Sequence, residues 1–481
     1  MDETDEATFE ELAFRLATRA FGDTIAPSDA PNTVESIAKR GISRAARLYN
    51  EQQLLARVPP ELLWMIFSLL AIDDRISVTF VSHRWRTISL NHGSLWAEIN
   101  TADSMDFMNW QLQHSGSAPL RITAEPLRAS DVDRVDLVAA NMGRAQTLAV
   151  RARSDVLSRV LLSPASLLER LNITGVARAV LSHELFTNGV RWPALRELSV
   201  INTHLPHDLA FVQLLVMFPA LESLEYTLYT LAEGGKDAIL TSSITTYVPR
   251  LLSVSFIGMT GQLAAVLPHL RTVRDIEIRN HGPADDESIL PLLPGLIARD
   301  EDDHVVNALI TWEEIRLRFD RSMRICYDPG DEDICWILGQ ESFFGHLTTL
   351  ALVAELPKKP FPLAPVLRML ILLDATLAQW MQYKFPWRTP ALEVLCVGKH
   401  PDNMEDGQDI AHIDRHRLCS VLQSVFGFSA DRRLPSLVIR NAVLEDGSVV
   451  GQPVLEDLVQ TLDVIQDREW DPWASIVTPS M

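Results

Sequence analysis

Pro193-Ala194-Leu195-Arg196-Glu197-Leu198-Ser199-Val200 is the stretch on which the fold turns. A leucine is followed by two variable residues, a second leucine, one variable residue and a third apolar residue. The last three positions alternate, as in a short strand whose side chains switch face at every residue. The phrase recurs upstream as Leu168-Glu169-Arg170-Leu171-Asn172-Ile173 and downstream as Leu221-Glu222-Ser223-Leu224-Glu225-Tyr226. It returns at Leu251-Leu252-Ser253-Val254-Ser255-Phe256, Leu347-Thr348-Thr349-Leu350-Ala351-Leu352, Leu367-Arg368-Met369-Leu370-Ile371-Leu372 and Leu392-Glu393-Val394-Leu395-Cys396-Val397. Pro219, Pro249, Pro365 and Pro390 stand two residues ahead of their units, as Pro193 does.

The leading leucines at 168, 195 and 221 are 27 and 26 residues apart, and those at 367 and 392 are 25 apart. This period is that of leucine-rich repeats, which place one strand and one helix in each unit. The segment 209–218 between two units is apolar enough for such a helix. One unit cannot bury its own apolar face, so neighbours must stack to share a core. The fold class expected is therefore α/β, an irregular leucine-rich-repeat-like solenoid over 118–460, with 461–481 as a C-terminal tail. The spacing is uneven, with gaps of 30 and 19 elsewhere, and the Asn usual after each strand is replaced by Thr203, Tyr229 and Ala375. An ordinary α/β domain with short parallel strands is the competing reading. Residues 281–304, 328–333 and 398–412, rich in Asp, Glu, Gly and Pro, are expected as surface loops.

Ahead of the repeats the grammar differs. Residues 1–34 form an acidic N-terminal segment and a Pro/Ser/Asp linker, and 35–56 suit a helix. Over 57–100, Val58-Pro59-Pro60-Glu61 is a sharp helix start, with Pro in the first turn and Glu61 at the positive end of the helix dipole. Leu62, Leu63, Ile66, Phe67 and Leu70 then form a broad apolar stripe. Asp73-Asp74 can begin a second helix and Ser82 can cap a third that carries Trp85, before Leu95-Trp96 closes the block. Three helices packing their stripes on one another account for part of this pattern. A segment this small, however, cannot bury so many large apolar groups alone.

Arg57-Val58-Pro59-Pro60-Glu61-Leu62-Leu63-Trp64-Met65-Ile66-Phe67-Ser68-Leu69-Leu70, with Asp74, Val81-Ser82-His83-Arg84-Trp85-Arg86 and Leu95-Trp96, resembles an F-box. Val58 stands where the family usually has Leu, a change that stays apolar. The resemblance implies a binding module that docks on the Skp adaptor of SCF-type cullin–RING ubiquitin ligases. It implies that Pro59, Glu61, Leu62, Leu63, Ile66, Phe67 and Leu70 include the adaptor-facing set and that Val81, Trp85 and Trp96 complete the core. The following helix-like 107–116 and Pro119-Leu120 resemble fungal F-box proteins, especially those of mushrooms and their relatives, which continue into irregular leucine-rich units.

No site for chemistry is expected. His412-Ile413-Asp414-Arg415-His416 has zinc-compatible spacing but no Glu after the first His and no third ligand, and reads as a solvated helix face. Cys326 and Cys335 match no zinc knuckle, and the acidic run 328–333 fails the calcium-loop pattern. There is no nucleophile elbow, phosphate loop or dinucleotide fingerprint. No catalytic, cofactor or metal residues are assigned. The four cysteines, at 326, 335, 396 and 419, share no framework and read as reduced.

The 481 residues carry 43 Lys+Arg against 63 Asp+Glu, a net charge of −20. A pI near 5.1 argues against nucleic-acid backbone binding. The four segments 1–12, 281–304, 328–333 and 402–409 hold the whole excess, whereas 57–100 is balanced. The start lacks the basic and apolar regions of a signal peptide, and the apolar run from Leu62 to Ile72 is too short to span a bilayer. The expectation is an intracellular protein, cytoplasmic or nuclear, with no membrane partner and no catalysis of its own. It would act as an F-box substrate receptor joining the Skp adaptor, and through it cullin, to an unknown client. The alternatives are a scaffold that uses the F-box outside ligase assembly and a ligand-sensing solenoid.

Overall fold

The computed structural model describes residues 8, 11, 12, 15, 19, 30–52, 57–187, 192–204, 215–227, 243–258, 263, 266–280, 292–297, 304–311, 313–327, 329, 331–353, 360–373, 380, 386–399, 411–445, 454–467 and 471–473. The chain forms two compact units, Met1–Thr123 and Ala124–Met481.

In the first unit α1 (Ala30–Gln52) begins earlier than the expected residue 35, because Pro31 is tolerated in a first turn; residues 53–56 lie outside the described residues. Helices α2 (Pro60–Ser68), α3 (Ile72–Val78) and α4 (His83–Asn91) follow, then a 3₁₀ turn at Gly93–Trp96, strand β1 (Glu98–Asn100), α5 (Met105–Ser115) and β2 (Leu120–Leu127). The starts are local. Pro60 occupies the first turn of α2, Ser82 Oγ accepts from Trp85 N at 3.2 Å, and Ser104 Oγ accepts from Phe107 N at 3.2 Å. Gly116, at φ +54°, ends α5 where other residues would be strained. Strand β1 pairs in parallel with the start of β2, Glu98 opposite Arg121 and Asn100 opposite Thr123.

The second unit is mixed α/β and dominated by one large sheet. Its strands are β3 (Ala145–Ala152), β4 (Arg170–Val180), β5 (Glu197–His204), β6 (Ser223–Thr227), β7 (Ser253–Gly258), β8 (Asp275–Asn280), β9 (Val305–Thr311), β10 (Glu314–Phe319), β11 (Met323–Tyr327), β12 (Thr349–Val353), β13 (Met369–Leu373), β14 (Val394–Gly398), β15 (Ala411–Asp414), β16 (Leu434–Arg440), β17 (Ala442–Glu445) and β18 (Val459–Ile465). The order β3-β4-β5-β6-β7-β8 is sequential, with each described pairing parallel. It continues β11-β10-β9 as an antiparallel meander, then β12-β13-β14-β16-β18 in parallel, while β15 and β17 pair separately. The meander reverses the order of three strands, so β8 lies beside β11 and β9 beside β12. Nothing in the repeat phrase announces it.

The closing triplet of each quoted unit lies in a strand, and the register shows why. Leu148, Leu171, Leu198, Leu224, Val254 and Ile276 stand opposite one another on successive strands, all buried. Leu350, Leu370, Leu395 and Leu437 repeat this beyond the meander. The leading leucines 168, 195, 221, 251, 347, 367 and 392 are also buried. Helices α6 (Val132–Asn141) and α7 (Ser154–Leu161) pack on one another, and α7 covers β3 and β4 with Val156, Leu157, Val160 and Leu161.

Several expectations are corrected. The expected tail begins inside β18, since Thr461 pairs with Ser436. The acidic run near 331 opens a helix, Asp331–Ile337, because carboxylates favour a helix N-terminus. The expected loop 281–304 contains the helix Leu293–Ile297, with Leu293 and Leu296 buried, and residues 281–291 and 298–303 lie outside the described residues. At the end of the third loop, residues 411–412 are in β15. His412 and His416 share no helix face: His412 is on β15 and pairs with Glu445 at 2.9 Å, while Asp414 caps the helix Arg415–Ser424 by accepting from His416 N. Thr203 donates its hydroxyl to Ile201 O at 3.0 Å. The helix expected at 209–218 lies outside the described residues up to 214, as do positions 229 and 375. No helix among the described residues is long and apolar enough to cross a membrane.

Neighbouring strands approach so closely at their ends that a side chain is excluded. A Cβ on Gly398 would lie far inside contact with the carbonyl oxygen of Arg440, its partner on β16, and 2.8 Å from the carbonyl carbon. Gly398→Ala is therefore expected to destabilise the protein by about 2 kcal/mol, whereas Gly143→Ala, with its nearest neighbour at 3.9 Å, should leave the denaturation midpoint unchanged. None of the four cysteines is in a disulfide. Burial pushes the Cys396 thiol up to about 12, an effect that Arg440 only partly offsets. At mildly alkaline pH Cys396 stays protonated, and mass spectrometry after native iodoacetamide treatment should find it unmodified until denaturant is added.

Candidate functional site

Helices α2, α3, α4 and α5 of the N-terminal unit surround a small core. Leu63 and Phe67 of α2, Val78 of α3, and Leu95 and Trp96 of the 3₁₀ turn are buried together, with Val58, Leu70, Ile72, Ile76, Trp85, Ile88, Leu90 and Trp110 packed against them. Phe67 meets Trp85 at 5.3 Å between ring centroids, and Trp96 meets Trp110 edge-on at 4.8 Å. The indole Nε1 of Trp96 donates to Ser89 O at 2.8 Å, so the largest core residue carries no orphaned donor.

Arg75 ties the connections to this core. It is only 6% exposed. Its Nη2 donates to Ser68 O at 3.1 Å, Nε to Leu70 O at 2.9 Å, and Nη1 to Leu95 O at 3.0 Å and to Glu98 Oε2 at 3.2 Å. One guanidinium thus satisfies the end of α2, the α2–α3 turn and the 3₁₀ turn, and pairs with β1. The same Glu98 pairs with Arg121 at 3.5 Å and receives Gln111 Nε2 on its carbonyl at 2.8 Å. Arg84 Nη2 donates to Val58 O at 2.6 Å, and Arg86 Nε to Thr79 O at 2.8 Å.

At 100° per residue the stripe of α2 divides into two faces. Leu63 and Phe67 point inward, each 2% exposed, and Leu70 is half-buried against them. Leu62, Ile66 and Leu69 point to solvent, at 46%, 52% and 86% exposed, with Met65 beside them. Leu63 and Phe67, expected among the adaptor-facing residues, are thereby corrected to the core. Pro59 and Glu61 are exposed at the start of α2, where Pro59 O accepts from Leu62 N and Leu63 N, both at 3.1 Å. Trp96 is fully buried and Trp85 half-buried, but Val81 is 57% exposed. The expectation of Val81 in the core fails because α3 ends at Val78, which takes the inward position, and the chain turns outward before α4. Phe80, beside it, is exposed under the guanidinium of Arg86, 5.5 Å from its ring centre.

Sequence reasoning singled out none of Met65, Leu69 and Arg75. Leu69 was accessible, since it completes the i, i+4, i+7 pattern of Leu62 and Ile66. Arg75 was not, because its partners are main-chain carbonyls. Among the described residues no group of three or more His, Cys, Asp or Glu could hold a metal ion. The arrangement can present an apolar helix face from a rigid support.

Replacing Arg75 by Met would leave three carbonyls without their donor. A loss of about 3–5 kcal/mol in the stability of this unit is expected, read as faster amide hydrogen exchange in α2, α3 and the 3₁₀ turn. Arg75→Lys should recover little of it, since one ammonium cannot span the same fork.

Residues 55–102 match the family model described as F-box-like. No curated protein matches the chain. With its helices, tryptophans and exposed stripe inside the matched span, the N-terminal unit of this chain carries an F-box-like domain.

Proposed function

We propose that this chain is a substrate-receptor subunit of an SCF-type cullin–RING ubiquitin ligase. The F-box-like domain docks on a Skp-type adaptor, through it on cullin, and the second unit holds a client protein. The observation that carries the reading is the exposed face of Leu62, Met65, Ile66 and Leu69 on a helix whose other face is locked into a complete core. F-box domains typically bind this adaptor. An apolar helix face with i, i+4 and i+7 anchors suits a groove on a partner, each large side chain removed from water contributing about 1.5–3 kcal/mol.

The second unit, on this reading, is an irregular leucine-rich-repeat-like array. Sequential parallel strands with leucines in register support it. The subunit does no chemistry itself. It raises the effective concentration of a client near a charged ubiquitin carrier, in the cytoplasm or nucleus.

Leu62→Asp, Ile66→Asp and Leu69→Asp in one chain should abolish co-purification of adaptor and cullin while the thermal melt stays as in the unaltered protein. Undiminished adaptor binding by this variant would sink the proposal. Leu63→Asp with Phe67→Asp is a poorer test, because it breaks the core instead.

A further inference from the structure

The sheet of the second unit carries its stacked leucines on one face. On the other face β6, β7 and β8 place Glu225, Ser255 and Glu277 side by side in one register row. Ser253 and Asp275 lie in the neighbouring row, and β11 sets Met323 beside Asp275 and Ile325 beside Glu277. With strands about 4.8 Å apart, the two glutamates stand about 10 Å from one another with only a serine between them. Small hydroxyl residues form the floor, carboxylates the sides, and β11 an apolar flank. These side chains line a groove of about 410 Å³.

Partners within the chain leave acceptor capacity in this groove. Glu225 accepts from Ser199 Oγ at 2.6 Å, and Asp275 from Met323 N at 3.2 Å with Arg274 Nε 3.7 Å away. Glu277 accepts from Arg279 Nε at 2.8 Å and Nη2 at 2.6 Å. The hydroxyl of Ser255, shielded from water between the two glutamates, has no hydrogen-bond partner. The guanidinium of Arg279 also lies over the ring of Tyr327, 4.9 Å from its centre. The face thus already seats one cation from the chain itself, on a carboxylate and an aromatic ring.

The same face also accepts polypeptide laid on it. Following the register from Ile325 through Arg316 leads to Leu309, Ala351, Ile371 and Cys396, which are buried with Trp473 packed on them. Arg316 lies 5.8 Å from the centre of the Trp473 ring. The apolar end of the face is therefore occupied by the chain's own 471–473, and the end that holds the groove is acidic.

We propose that this groove binds an extended, Lys- or Arg-bearing segment of the client, with a cation seated between Glu225 and Glu277. The aliphatic stem of that residue lies on Met323 and Ile325, beside Ser255. The inference rests on the substrate-receptor reading and names the client's recognition chemistry.

The test uses the full chain and a short fluorescein-labelled peptide of alternating serine and arginine, read by fluorescence polarisation. Glu225→Gln with Glu277→Gln should weaken binding about tenfold, and Ser255→Arg, which supplies the cation from within, should block it. Asp431→Asn with Asp457→Asn removes the same charge elsewhere in the unit and should change nothing. Failure of the unaltered chain to bind, undiminished binding by the groove variants, or an equal loss in the Asp431/Asp457 control would overturn the proposal. Adaptor co-purification is measured on the same proteins. Its loss in the unaltered chain would count against the ligase reading alone, and its retention with no peptide effect would count against the groove alone.

Discussion

Strands β5, β6, β7 and β8 each bury only two apolar side chains, on one face, too few to hold a strand in place alone. Leu171, Leu198 and Leu224 become a core because parallel pairing sets them in register. A slip of one residue would turn Leu198, Leu224 and Val254 toward solvent and Ser199, Glu225 and Ser255 inward, so the register is strongly specified there. Backbone bonds just ahead of the strands extend it: Arg196 N donates to Glu169 O, Glu222 N to Arg196 O and Leu252 N to Glu222 O. The closeness of this stacking is what excludes a side chain at Gly398, and at Gly175 against Asn202. The opposite face inherits the same register, which is why Glu225, Ser255 and Glu277 fall in line.

The N-terminal unit meets a different constraint. Helices α2, α3 and α4 are short, and their connections leave carbonyls that no regular structure satisfies. Arg75 answers three of them and pairs with Glu98 from a buried position. With the backbone held so, five buried apolar residues and eight partly buried ones form the core, and Leu62, Ile66 and Leu69 remain outside. The domain's stability and its apolar exterior are thus separable: α2 serves the fold on one face and leaves the other exposed.

Elements with a local cause were legible. Strand triplets follow from alternation, and the starts of α2 and α4 from Pro60 and Ser82. Where a residue's place depends on where the chain goes next, the sequence misled. Val81 looks like core until α3 ends at Val78. His412 and His416 look like one helix face until a strand ends between them. The carboxylates near 331 read as loop polarity, although the same charges favour a helix start.

By itself the sequence determined the F-box-like span, the alternation in the strand triplets and the concentration of acidity outside that span, because each rests on neighbours along the chain. Tertiary structure alone decided which leucines of α2 are core and which are exposed, that Arg75 is a buried hub, and that β9–β11 run back as a meander. It alone brought Glu225 and Glu277 to either side of Ser255, since residues about 50 positions apart share a groove only once strand order and register are set.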